Sequence, residues 1–177
     1  YEIIPSLVGS EMCIRDRAEG EKALIFTQYK EFGEYLSDYV RKRFGVPAPF
    51  LHGSLRREER DAMVDSFQSP DGPPIMVLSL KAGGTGLTLT AANHVIHYDR
   101  WWNPAVENQA TDRAYRIGQT KDVQVRKLVC DGTIEERIDD IISHKSTMSD
   151  LVVSTGETWL TELDDEQLQE LFRLEVT

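Results

Sequence analysis

From Ala23 onward the chain alternates two kinds of hydrophobic pattern. Short runs that are apolar at nearly every position are followed by longer stretches whose apolar residues recur every three or four positions. The first kind suits strands covered on both faces, and the second suits helices with one buried stripe. Strands are predicted at Ala23–Thr27 (ALIFT), Ile75–Leu80 and His94–Tyr98, with a short strand end at Phe50-Leu51. Val123–Val129 alternates apolar and polar residues, as a half-covered strand does.

Phe32, Leu36, Tyr39 and Val40 fall at helical spacing, and Gly45 and Pro47 end that helix. Ser54 is positioned to cap a helix from Leu55 to about Phe67, and Pro70–Pro74 is a loop. Asn103-Pro104 pairs a favoured cap with a favoured first helical residue, and Val106, Ala110, Ala114 and Ile117 form the stripe that should follow. Thr133-Ile134-Glu135-Glu136 reads as a capping box for a helix over 133–149 with Ile134, Ile138, Ile141 and Ile142 on one side. Acidic residues from Asp164 open a last short helix bearing Leu168, Leu171 and Phe172. Strand–helix alternation of this kind predicts a three-layer α/β domain: a mostly parallel sheet, helices on both faces and a C-terminal helical extension. Residues 1–17 show no clear period. Their SLVGSEMCIRDR string resembles a translated sequencing-adapter read-through, so they are set apart as a non-native or disordered leader. The expected organisation is thus 1–17, a domain over 18–132, and a helical extension over 133–177.

The net charge of −10 argues at first against a nucleic-acid partner. Its distribution changes that picture. Residues 131–177 hold 13 acidic and 3 basic residues, which leaves 17 of each in residues 1–130. The whole excess therefore sits in the C-terminal segment, and the body can still present a basic face. Arg41, Lys42 and Arg43, with Arg56, Arg57 and Arg60, are candidates, although each run alone equally fits a solvated helix surface. The two cysteines, Cys13 and Cys130, form no disulfide or zinc pattern, which suits a reducing, cytoplasmic compartment. None of the four histidines stands at metal-ligand spacing, and His94 and His97 read as structural. No apolar run is long enough to span a bilayer.

Candidate chemistry concentrates in Ser79–Gln119. Gly83-Gly84-Thr85-Gly86 follows a buried strand, where glycines let backbone N–H groups approach an anion. The cluster lacks the Gly-Lys-Ser/Thr ending of a P-loop, and the same residues fit an ordinary loop. On the helix after Pro104, Gln109, Arg113 and Arg116 lie on a face different from the apolar stripe. Two guanidinium groups beside an amide suit phosphate oxygens. A surface helix with Asp112 paired to Arg116 explains them equally well. Trp101 and Trp102 cannot both enter one core, so one is a candidate anchor for a base, a sugar-phosphate groove or another domain.

In combination, KALIFTQY (22–29), FLHGSLRREERDAMVDSFQ (50–68), VLSLKAGGTGLTLTAANHVIHYDRWWNPAVENQATDRAYRIGQ (77–119) and VRKLVCDGTIEERI (125–138) closely resemble the second, C-terminal RecA-like domain of Swi/Snf-type superfamily 2 helicases. The tail with Gly156 and Trp159-Leu160 is similar to the bacterial branch.

The resemblance implies a motor lobe of an ATP-dependent double-stranded-DNA translocase. In that family Arg113 and Arg116 correspond to arginine fingers facing the γ-phosphate of ATP held by the N-terminal RecA-like lobe of the same polypeptide. Gln109, Gly84, Thr85 and Gly86 correspond to residues lining the nucleotide cleft. Ser54, Arg56, Lys81 and Trp102 correspond to DNA contacts. Thr88 departs from the asparagine that many members carry. ATP and Mg²⁺ are implied as cofactors bound mainly by the other lobe, whose P-loop lysine and Asp-Glu-x-His site do not occur in this chain. Alone, therefore, the chain is expected not to hydrolyse ATP. Two other functions fit less well. A non-catalytic docking module leaves the arginine spacing unexplained. An RNA helicase of the DEAD-box type usually ends its sixth motif differently from Tyr115-Arg116-Ile117-Gly118-Gln119.

Overall fold

The computed structural model describes residues 21–82, 86–99, 101, 104–130, 132, 133, 135, 136 and 139. These fall into two compact units, 21–99 with 109–128 in one and the remaining described residues in the other. The leader at 1–17, the helix expected over 133–149 beyond its first turn, and the last acidic helix lie outside the described residues.

The first unit holds a five-stranded sheet of β1 (Ala23–Thr27), β2 (Phe50–Leu51), β3 (Ile75–Ser79), β4 (His94–His97) and β5 (Gln124–Lys127). Its order is β2-β3-β1-β4-β5, and every pairing is parallel. The apolar runs occupy the central strands, and β1 is buried along its whole length. Residues in register share a face because strand side chains alternate. Ile25, Val77 and Ile96 are one such row. They form a core with Leu36 and Val40 of helix α1 (Lys30–Phe44) and with Val46, Ala48 and Phe50. Phe26, Leu78 and His97 line up in the row facing the opposite way.

Helix α1 stops where predicted. Gly45 adopts the left-handed conformation at φ 63°, and its N–H donates to the Arg41 carbonyl at 3.0 Å. Helix α2 spans Arg57–Gln68, so its start differs from expectation. Ser54 is not its cap. The Leu55 N–H closes a turn onto the His52 carbonyl at 3.2 Å, which places Ser54 before the helix. The Glu59 carboxylate instead reaches back to the Arg56 N–H at 2.9 Å. At the other end, Lys22 donates from Nζ to the carbonyls of Phe67 (2.7 Å) and Ser69 (2.5 Å), satisfying helix-end acceptors with a positive charge. A 3-10 turn, Leu80–Ala82, follows β3.

Helix α3 runs only from Pro104 to Thr111. The sequence pattern carried it through Ile117. The carbonyls that would continue it are taken by other donors: Leu89 N–H bonds Arg113 O at 2.9 Å, and the Gln119 amide bonds Ala114 O at 3.2 Å. The chain then proceeds in short turns, and Gly118 at φ 104° reverses it. Ala110 and Ala114 of the expected stripe are fully buried, whereas Ile117 is fully exposed.

Candidate nucleotide and nucleic-acid site

In parallel α/β sheets ligands gather outside the carboxyl ends of the strands. Here those ends are tied together by Asp99, just past β4. Its carboxylate accepts from the Thr27 hydroxyl at 2.5 Å and from the Gln28 N–H at 2.9 Å, both at the end of β1. His97, fully buried, stacks on Phe26 with ring centroids 5.4 Å apart and contacts the Thr111 hydroxyl at 3.0 Å. His94 is also buried and lies 2.5 Å from the Glu21 carboxylate. Both histidines are thus part of the interior, as expected.

The early end of α3 separates the three residues that a longer helix would have aligned. Gln109 remains on the helix and is exposed. Arg113 lies in the turn after it, is only 7% exposed, and its guanidinium is 5.9 Å from the centroid of the Phe26 ring. Burial lowers its pKa from the ordinary arginine value, yet an arginine keeps its charge. Arg116 is exposed. Its Nη1 reaches the carbonyls of Gly86 (3.3 Å) and Leu87 (3.4 Å) and the Thr88 hydroxyl (3.3 Å). Helical spacing suggested a single donor fork. The structure has one desolvated arginine against an aromatic ring and one solvated arginine on the segment 86–88.

Gly86 itself is exposed and adopts φ 114°. Arg56 caps the start of α2, with Ser54 in the turn before it, and Arg56 is exposed and paired with Glu59 at 2.9 Å. That pairing holds the Glu59 carboxyl below its ordinary pKa. The backbone of Lys81 belongs to the 3-10 turn. Gly84, Thr85 and Trp102 lie outside the described residues. Trp101 is partly buried, and its N–H donates to the fully buried Glu107 carboxylate at 2.9 Å.

Several residues that organise this region carried no obvious signal. Asp99 and Glu107 are single carboxylates that accept backbone N–H groups, from Gln28 and Trp101, and Asp99 also accepts the Thr27 hydroxyl. Gln68 and Gln119 are ordinary polar residues by type, yet both hold the 88–92 segment through side-chain hydrogen bonds. Cys130 is half-buried beside Glu135, and burial together with that carboxylate raises its thiol pKa. Among the described residues no group of three His, Cys, Asp or Glu could hold a metal ion, and no helix is long and apolar enough to cross a membrane.

Residues 2–118 match the model of the helicase conserved C-terminal domain. The chain belongs to that family. Within it, this helicase C-terminal domain is a C-terminal lobe of the Swi2/Snf2 ATPase type. It is 55% identical over 167 residues to the "Putative ATP-dependent helicase/translocase YwqA" of Bacillus subtilis, an alignment covering 94% of this chain and 18% of that protein. It is similar to the Sulfolobus solfataricus SWI2/SNF2 ATPase core in complex with dsDNA, with a TM-score of 0.76, 41% identity, and coverage of 96% of this chain and 36% of that one. The Sulfolobus solfataricus SWI2/SNF2 ATPase C-terminal domain matches with a TM-score of 0.71 and 39% identity, over 96% of this chain and 68% of that one. The fold is therefore α/β and RecA-like. The chain spans about a fifth of the length of the Bacillus relative.

Proposed function

We propose that this helicase C-terminal domain is the second motor lobe of an ATP-dependent translocase acting on double-stranded DNA. ATP and Mg²⁺ are bound mainly by an N-terminal RecA-like lobe of the same polypeptide. Arg113 and Arg116 face the γ-phosphate across the cleft. Gln109 and the 84–86 turn line the same cleft. Ser54, Arg56, Lys81 and Trp102 contact the duplex. The lobe extends over residues 18–132, with a brace helix and an acidic extension at 133–177.

The observation that carries this reading is the pair of arginines on one short loop, with Arg116 bonded to the segment 86–88. Phosphoryl transfer needs little from the protein beyond positioning and fixed positive charge. Arg113 is preorganised: Phe26 and the surrounding burial remove water from its guanidinium, which strengthens its field at a nearby anion. Arg116 is solvated and held by three weak, long hydrogen bonds, so it can exchange backbone carbonyls for phosphate oxygens at small cost. The chemistry supplied by bound ATP and Mg²⁺ is the transferable phosphoryl group and its metal clamp. The residues of this chain orient that group and stabilise the charge that develops on it. Similarity to an ATP-dependent helicase/translocase and to a SWI2/SNF2 ATPase core in complex with dsDNA supplies the expectation of ATP dependence and of duplex DNA.

The test is ATP turnover by the intact protein with duplex DNA or single-stranded RNA added. Stimulation by duplex DNA but not by RNA is expected, and no turnover from the isolated chain with either. Greater stimulation by RNA, or DNA-stimulated hydrolysis by the isolated chain, overturns the proposal.

A further inference from the structure

The segment 88–92 is gripped from two sides by glutamine side chains. From one side Gln119 directs its amide nitrogen at the carbonyls of Ala92 (2.7 Å), Thr90 (3.1 Å) and Ala114 (3.2 Å). Its amide oxygen accepts the N–H groups of Thr120 (3.0 Å) and Lys121 (2.9 Å). A carboxamide has two donor hydrogens and two acceptor lone pairs, so this side chain is saturated. From the other side Gln68, the last residue of α2, donates to Thr88 O at 3.2 Å and accepts the Ala91 N–H at 2.8 Å. The Leu89 N–H to Arg113 O bond adds a backbone tie within the same span.

These contacts link parts of the chain far apart in sequence. Gln119 closes the loop bearing Arg113 and Arg116. Gln68 terminates a helix of 12 residues, about 18 Å long, whose other end carries Arg56. Segment 88–92 lies between them and begins two residues after Gly86.

We propose that Gln119 and Gln68 are positioning residues that clamp segment 88–92 and thereby make the arginine loop, the 86–92 segment and α2 one mechanical unit. Through that unit, occupancy of the duplex-facing elements is communicated to the ATP-facing arginines. The coupling role rests on the motor function proposed above, whereas the clamp rests on the hydrogen bonds alone. Only an amide fits the Gln119 position. A glutamate there keeps the two acceptor contacts but sets a carboxylate against three carbonyl oxygens, and alanine removes all five contacts.

The experiment uses the intact protein with Gln119→Ala, Gln119→Glu and Gln68→Ala. Turnover is measured with and without duplex DNA, and amide hydrogen exchange is followed over 88–92. DNA-stimulated kcat should fall about tenfold for the Gln119 variants and about threefold for Gln68→Ala, in the range of mutations that alter coupling between sites. DNA-free turnover and KM for ATP should stay within about twofold of the unmodified protein, because both side chains are taken up by hydrogen bonds to this chain's own backbone. Exchange over 88–92 should accelerate in each variant that folds. Unchanged exchange in Gln68→Ala overturns the clamp. Accelerated exchange with undiminished DNA stimulation, or an equal loss with and without DNA, overturns the coupling role. If Arg113→Ala and Arg116→Ala both leave turnover intact in the same assay, the role of the ATP-facing arginines fails, and the exchange result still decides the clamp.

Discussion

Lys22 and Arg116 are both long cations that donate to backbone carbonyls, and they do opposite things. Lys22 is 7% exposed, holds the end of α2 with bonds of 2.7 and 2.5 Å, and lies 5.3 Å from the centroid of the Phe67 ring. Arg116 is exposed, and its bonds to Gly86 and Leu87 are 3.3 and 3.4 Å. Around Lys22 the chain supplies every partner: Asn93 and Lys22 exchange hydrogen bonds, and the Glu21 carboxylate sits on His94. Around Arg116 the partners are weak and solvent is close. A buried cation with short bonds is committed to the fold. An exposed cation with long bonds is available to an anion. The charge is the same in both places; burial and bond length divide structure from function.

The comparison can be broken by stability. Lys22→Ala removes the charged donor from the Phe67 and Ser69 carbonyls, of which Ser69 keeps the Gly72 N–H, and removes a packed stem. It should destabilise the chain by about 2–4 kcal/mol in urea unfolding. Arg116→Ala loses only exposed contacts and should cost less than about 0.5 kcal/mol in the same measurement. Equal losses would erase the distinction.

A smaller effect sharpens the Lys22 side. The hydrogen bond from His94 holds the Glu21 carboxyl below its ordinary pKa. A carboxylate whose folded pKa is depressed contributes stability that is full above its unfolded value and disappears as pH falls through the folded one. The stability difference between the unmodified chain and Glu21→Gln should therefore be constant above about pH 5 and shrink below about pH 4. A difference that grows on acidification contradicts the pairing.

Much of the fold was legible because burial writes itself as apolar runs. ALIFT, IMVLS and HVIH became strands at the expected positions, and Gly45 ended α1 through its left-handed backbone. Two helix boundaries were not legible. The start of α2 depends on whether Leu55 bonds His52 or continues into the helix, and Glu59 decides it by taking the Arg56 N–H. The end of α3 depends on donors from elsewhere, Leu89 and Gln119, which compete for its next carbonyls. No local pattern records a competitor 24 positions upstream. For the same reason the two arginines were recognisable by motif but their environments were not: the Phe26 ring beside Arg113 comes from β1. Gln68 and Gln119 were invisible as site residues, since their meaning lies entirely in partners 20 to 29 residues away.

The central claim is that the loop after α3 supplies positive charge to a phosphoryl group bound elsewhere. Steady-state ATP turnover of the intact protein carrying Arg113→Ala or Arg116→Ala, at saturating duplex DNA, tests it most directly. Interactions made chiefly in the transition state lower kcat and leave KM nearly unchanged, and arginine fingers are worth about 10³–10⁵ in rate. A loss of kcat by orders of magnitude with KM for ATP within a few-fold is the predicted result. Near-normal kcat in both variants would contradict it.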